Sequence, residues 1–205
     1  MYTIHTTPGF VVSSKPVGEA GKLLFIFTKN LGLIRATAQG IRFEKSKLRP
    51  FIQDYSRGIF SFVRGKEYWR LTNAQEMSGL DMSADKHETR ELKLEDKKLV
   101  ARIALLLNRL LQGEEEHVEL FTTLDAFFSF LKNGSALELT ENQFQVLESL
   151  VVTRILHRLG YVSVLPELKE VIETDNLSPD LLDELKDKRI TMNQHINKAL
   201  QESHL

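Results

Sequence analysis

The chain of 205 residues contains no cysteine. Disulfides, thiolate nucleophiles, Cys-ligated zinc and iron–sulfur clusters are therefore excluded, a reducing compartment is consistent, and any metal site would have to use His and carboxylates. Proline and glycine are also sparse, at 5 and 11 residues, too few for a disordered or fibrous chain. No apolar run exceeds five residues ("LLFIF" at 23–27, "IALLL" at 103–107), far short of the roughly 18 needed to span a bilayer. The start "MYTIHTTPG" lacks the basic and apolar regions of a secretion signal, so a soluble, cytoplasmic protein without a membrane partner is expected. Catalytic sequences are missing too. There is no G-x-S-x-G, no G-x-x-x-x-G-K-[ST] and no G-x-G-x-x-G, which removes the usual marks of hydrolases, NTPases and dinucleotide enzymes. His5, His87, His157, His195 and His204 are scattered without metal-ligand spacing. In "GEEEH" at 113–117 the acidic residues suit a helix start through the helix dipole alone. No catalytic residue, metal or cofactor is expected, and the protein is not read as an enzyme.

What is present is an ordinary globular composition, 42 % hydrophobic and 27 % charged, and a concealed polarity. The net charge is −1, yet residues 1–80 carry twelve basic side chains against five acidic ones, a net +7, leaving −8 for the rest. A basic module attracts phosphate backbones through counterion release, whereas an acidic one repels them and suits protein contacts.

The first 80 residues hold five short β-prone runs, "GFVVSS", "KLLFIFT", "LIRATAQG", "GIFSFVRG" and "EYWRLTNA", separated by turn signals such as Pro16–Gly18, Asn30–Gly32 and Arg64–Lys66. In "LIRATAQ" the alternation sends Ile34, Ala36 and Ala38 inward and Arg35, Thr37 and Gln39 outward; in "EYWRLT" Trp69 and Leu71 share one face and Tyr68, Arg70 and Thr72 the other. Five antiparallel strands in so short a span must cover their edges, so a small barrel of the OB or SH3-like kind is expected, a form that binds extended ligands across an open face.

Beyond Leu80 the period turns helical. The polar "DMSADKHETRE" reads as a linker or short exposed helix. Leu99, Ile103, Leu106, Leu107 and Leu110, widened by Leu105 and Leu111, form one face of a helix over 94–111, with Gly113 beyond its end. A second helix is expected over about 116–132, with Leu120, Leu124, Phe127, Phe128 and Leu131 in phase. Thr140 with Gln143 forms a capping-box pattern that opens a third, carrying Phe144, Leu147, Leu150, Val151 and Ile155 as far as Gly160. Ser178-Pro179 opens one or two last helices. The expected architecture is α+β: an N-terminal five-stranded OB-type barrel over 1–80, binding nucleic acid, then an all-α domain of four or five helices over 81–205, binding partners.

The densest basic feature is "GIRFEKSKLRPF", where Arg42, Lys45, Lys47 and Arg49 are opposed only by Glu44 and flanked by Phe43 and Phe51. A basic loop between barrel strands suits phosphate contact, and neighbouring aromatics can stack on unpaired bases; the plainer reading is a solvated loop with its phenylalanines in the core. Arg35, Arg64, Lys66 and Arg70 would extend the track. Tyr55 and Tyr68 are weaker stacking candidates, and Trp69 is read as core.

Residues 9–75 resemble the bacterial RecO recombination mediators. Glu19 followed by "KLLFIFTKNLGLI" is similar to that family's first hairpin, "AQGIRFEKSKLRPFIQDYS" to its basic loop and next strand, and "VRGKEYWRLTNAQ" to its closing hairpin. "LHRLGYVSVLPEL" at 156–168 and the final "QHINKALQESHL" also resemble the family. The resemblance implies an OB fold joined to a helical domain and a non-catalytic activity in DNA repair and homologous recombination. That activity is to bind single- and double-stranded DNA, anneal complementary strands and, with RecR, help RecA replace single-stranded DNA-binding protein, whose acidic C-terminal tail the helical domain receives. Many members carry a Cys-ligated zinc module after the Gly-Tyr pair; "PELKEVIETDNLSPD" stands there instead, as in zinc-free members. Arg154, His157 and Arg158 are the candidates for the tail-binding patch, against the plain reading of a solvated helix face. Rival readings are an OB adaptor for an acidic protein and an RNA-binding OB protein.

Overall fold

The computed structural model describes residues 3–41, 46–77, 92–133, 139–163 and 166–203. They form two compact units, one from Met1–Asp85 with Val100–Val118, the other from Lys86–Leu99 with Glu119–Leu205. The linker expected at 81–91 and the boundary expected near Leu80 lie outside the described residues.

The first unit is a closed five-stranded barrel of β1 (Ile4–Val17), β2 (Gly21–Thr28), β3 (Gly32–Ala38), β4 (Arg57–Arg64) and β5 (Trp69–Glu76) in the order β1-β2-β3-β5-β4. This is an OB-type barrel. Closure depends on the length of β1: residues 4–10 pair with β4 and residues 9–17 with β2. A register shift between Val11 and Ser13 lets the one strand bend around the corner. One sequence expectation is corrected. The strands are not all antiparallel, because β3 and β5 run parallel, with Ala36 opposite Trp69 and Thr37 opposite Arg70. The two strands are joined through β4 on the far side, so the seam between them is set by closure and not by a hairpin.

Inside lie Leu24, Ile26, Ile34, Ala36, Phe60, Phe62, Trp69 and Leu71, following the predicted alternation. At one end the barrel is plugged by the buried Ile41 and Ile52, backed by Leu48 and Phe51 of the loop with its short 3-10 turn, Arg49–Phe51. At the other end sits Trp69, edge-on to both His5 and Phe62. The same unit includes the later part of α1 (Leu94–Leu110). There Asn108 Nδ2 donates to Ser13 Oγ at 3.4 Å, and Phe10, Val12 and Phe27 are buried although they do not belong to the barrel interior. On α1 the buried face is Leu99, Val100, Ile103, Ala104, Leu107 and Leu110, whereas Leu105, expected to widen it, is 64 % exposed.

The second unit contains α2 (Val118–Asn133), α3 (Glu141–Arg158), α4 (Lys169–Glu173), α5 (Pro179–Glu184) and α6 (Arg189–Glu202). With α1 that makes six α-helices among the described residues, the short α4 being the one not foreseen. α3 is central, packing on α4, α5 and α6, and its Val146, Leu147, Leu150, Val151, Ile155 and Leu156 are fully buried. The capping box is present in both halves: Gln143 N–H donates to Thr140 Oγ1 at 3.3 Å and Thr140 N–H to Gln143 Oε1 at 2.9 Å. α3 ends where Gly160 N–H bonds the His157 carbonyl and Tyr161 N–H the Leu156 carbonyl, a Schellman stop. Ser178 caps α5 through Leu181 N–H, with Pro179 in the first turn. Among the described residues no helix is long and apolar enough to cross a membrane, and no three His, Asp or Glu side chains converge as metal ligands.

Candidate nucleic-acid interface

The outward face of β2 and β3, with the neighbouring residues of β1 and β5, carries an aromatic platform among cations. Phe25 is half-buried, opposite Arg35 across the β2–β3 ladder and opposite Ser13 on β1. Lys15 Nζ stands 5.6 Å from the centre of the Phe25 ring and the Arg35 guanidinium carbon 5.9 Å, within reach of the ring's quadrupole. One row further along, Lys15, Leu23, Thr37 and Arg70 follow one another across four strands. Lys15, Arg35 and Arg70 are all exposed, and none of the three pairs with a carboxylate among the described residues. Three cations beside one aromatic ring are the chemistry that suits successive phosphates and an unpaired base.

The remaining predicted cations fall into separate places. Lys47 and Arg49 are exposed at the end plugged by Ile41 and Ile52, beside Lys22. Arg64, Lys66 and Tyr68 stand at the other end, around the β4–β5 turn. There the charge of Arg64 is already met. Its guanidinium lies 4.8 Å over Trp69 and bonds Glu114 Oε2 at 2.5 Å, while Glu114 Oε1 accepts from Trp69 Nε1 at 3.0 Å. The "GEEEH" acids therefore precede α2, and Glu114 serves the barrel, where the sequence had suggested a helix-dipole role. Arg42, Phe43 and Lys45 lie outside the described residues.

Of the three residues expected to form a patch on the helical unit, Arg154 lies inside it, while His157 and Arg158 are half-buried. Arg154 is 1 % exposed and its guanidinium is spent on two backbone carbonyls, Val171 at 2.8 and 3.1 Å and Asn176 at 2.9 Å. Desolvation pulls its pKa down to about 10, with Asp175 pulling up and Arg158 down, so it remains charged at neutral pH. Arg158 bonds the Glu119 carboxylate and the Glu173 carbonyl, and His157 Nδ1 lies 3.2 Å from the Val162 carbonyl oxygen. These three side chains hold the α3 end to the chain around 162–176.

Lys15 and Phe25 were missed by sequence reasoning. They are dispersed along the chain, and only the strand pairing places Lys15 and Arg35, twenty positions apart, on one ring.

An OB-type barrel followed by α-helices is the class of fold that these elements define. Residues 1–79 match the family described as recombination protein O, N terminal. The chain is 31 % identical over 143 residues to the DNA repair protein RecO of Alkaliphilus metalliredigens, covering 64 % of this chain and 58 % of that protein. It is 24 % identical over 144 residues to that of Halalkalibacterium halodurans, covering 69 % and 53 %. Over 75 residues it is 36 % identical to the Synechocystis protein, covering 37 % and 28 %. Residues 1–79 thus carry the match to the family's N-terminal part, and the longer alignments show that the chain is similar to RecO proteins. The chain spans about half the length of the curated relatives it matches.

Proposed function

We propose that this chain is a non-catalytic DNA-binding mediator of recombination and DNA repair, acting in the cytoplasm on the nucleoid. The supporting observation is the half-buried Phe25 ring with Lys15 and Arg35 beside it, on the outer face of β2 and β3 of an OB-type barrel. A strand entering this face would draw the two cations from the ring to its phosphates and leave the ring to a base. Annealing follows from the same surface, since cations that neutralise one backbone lower the repulsion against a second. The helical unit is read as the partner surface, with RecR, the C-terminal tail of single-stranded DNA-binding protein and, indirectly, RecA as partners by family likeness. Arg154 plays no direct part in that surface.

The test is binding to fluorescent single-stranded DNA across a salt series, beside strand-annealing rates. Lys15→Ala with Arg35→Ala should flatten the salt slope by about 1.4, two phosphates at roughly 0.7 each. Phe25→Ala should cost about 1–3 kcal/mol of affinity with the slope unchanged. Charge and stacking are thus separated by one plot. Unaltered slope and affinity in the folded variants would refute the face. Equal-length RNA competing as well as DNA would favour the RNA reading, and partners retained after nuclease treatment without any DNA affinity would favour the adaptor reading.

A further inference from the structure

A pocket of about 240 Å³ opens at the barrel end opposite Trp69, lined by Lys22, Ile41, Arg49, Ile52 and Gln53. Its floor is apolar, Ile41 and Ile52 being 2 % and 1 % exposed. Lys22 belongs to the inward-facing set of β2 with Leu24 and Ile26, but at the strand's first residues, so its stem reaches the mouth of the barrel. Its Nζ makes one long bond, 3.4 Å, to Ser14 Oγ, and Ser14 in turn donates to Asp54 Oδ1 at 2.6 Å. The exposed Arg49 lines the same opening and, like Lys22, pairs directly with no carboxylate among the described residues. Gln53 Nε2 is fixed on the Arg49 carbonyl at 2.7 Å, leaving the amide oxygen without a partner among the described residues.

The turn carrying these groups is held in an uncommon conformation. Tyr55 has φ 70°, a left-handed value for a bulky residue. It is held by its N–H to the Val11 carbonyl at 2.7 Å and by Ser56 N–H to the Gln53 carbonyl at 3.0 Å. Strain of this kind persists where the surroundings fix it, and it clusters at ligand sites.

We propose that this pocket takes a nucleotide bearing a terminal phosphomonoester, and on a DNA-binding protein that means the 5′-phosphorylated end of a strand. The inference rests on the DNA-binding reading and adds a site to it. A monoester carries about 1.5 to 2 negative charges and three acceptor oxygens, against one charge on an internal diester. Two cations lining one small opening match the former. The apolar floor and the Gln53 amide suit the face and edge of one base, and a volume below the roughly 300 Å³ of ordinary ligand pockets holds one unit and not a stretch of strand.

The test compares binding of one 12-residue oligonucleotide with a 5′-phosphate and with a 5′-hydroxyl to the full chain, its Lys22→Met variant and its Arg35→Ala variant. The wild type should prefer the phosphorylated end by about tenfold, the yield of two partly exposed charge-assisted contacts. Lys22→Met should abolish the preference while leaving the hydroxyl oligonucleotide bound within twofold; Arg35→Ala should weaken both equally. Equal affinity of the two ends for the wild type, or a preference that survives Lys22→Met, overturns the pocket. If neither oligonucleotide binds, the DNA-binding reading has failed. Titration with dAMP and with inorganic phosphate then decides. Saturable dAMP binding weakened by Lys22→Met keeps the pocket as a free-nucleotide site, whereas no binding, or phosphate alone binding equally well to both proteins, overturns it.

Discussion

Gly32 opens β3 at φ +67°, and a Cβ built there would stand 2.1 Å from the Glu115 carbonyl oxygen and 2.7 Å from its carbon and nitrogen. Gly32→Ala therefore carries two costs. The left-handed backbone alone costs an alanine about 1–2 kcal/mol. To reach even a tight contact the Glu115 backbone must retreat by roughly an ångström, and it carries Glu114 with it. Glu114 then loses the bond to Trp69 Nε1 and the contact with Arg64. Because those groups are about half exposed, screening limits that loss to about 1–2 kcal/mol. The expected total is about 2–4 kcal/mol, or a fall in Tm of roughly 5–15 °C for a chain of this size. Gly18→Ala is the internal control. Gly18 has φ +60° with nothing within 4 Å of its Cβ position, so it carries the backbone cost of about 1–2 kcal/mol alone. Trp69 is the protein's one tryptophan, which makes its fluorescence a local probe. Gly32→Ala should shift and broaden its emission as the indole loses Glu114, and Gly18→Ala should leave it unchanged. Equal destabilisation by the two substitutions, with identical emission spectra, would refute the seating of residues 114–115 against the barrel.

Two further outcomes are expected. Arg154→Met keeps most of the volume but leaves the Val171 and Asn176 carbonyls without their donor, so a loss of about 2–3 kcal/mol is expected in chemical denaturation. Arg154→Lys, which keeps the charge without the planar fork, should recover part of it, and a methionine variant as stable as wild type would show that water serves those carbonyls equally well. Asp183 has its pKa held below the ordinary 3.8, first by the hydrogen bond from Lys186, with desolvation opposing it, then by the Lys186 charge and the Gln143 amide. A depressed carboxylate pKa means stability that is fully present above the unfolded value and lost as pH falls through the folded one. The stability difference between wild type and Asp183→Asn should therefore be constant above about pH 5 and shrink as pH falls through the folded-state pKa, and a difference that does not shrink on acidification would contradict this linkage.

Local chemistry was legible because it is written within a few residues. The alternation of Ile34, Ala36 and Ala38 with Arg35, Thr37 and Gln39 survives intact as inside and outside of β3. Thr140 and Gln143 cap α3, and Ser178-Pro179 opens α5, because a cap satisfies amides only three residues away. Arg154 was misplaced for the converse reason. On a helix an arginine reads as solvent-facing unless the partners that desolvate it are known, and those partners are carbonyls 17 and 22 residues downstream.

By itself the sequence determined the five strands, the main helices and their caps, and the concentration of positive charge in the first 80 residues, since hydrophobic period, turn chemistry and composition are properties of neighbouring residues. Only the tertiary structure decided the parallel β3–β5 seam, the docking of Glu114 on Arg64 and Trp69, and the gathering of Lys15, Phe25 and Arg35 on one face. Each joins residues from different strands or elements. Their proximity is a consequence of closing the barrel and choosing a register, a collective outcome of core packing that no local window of sequence contains.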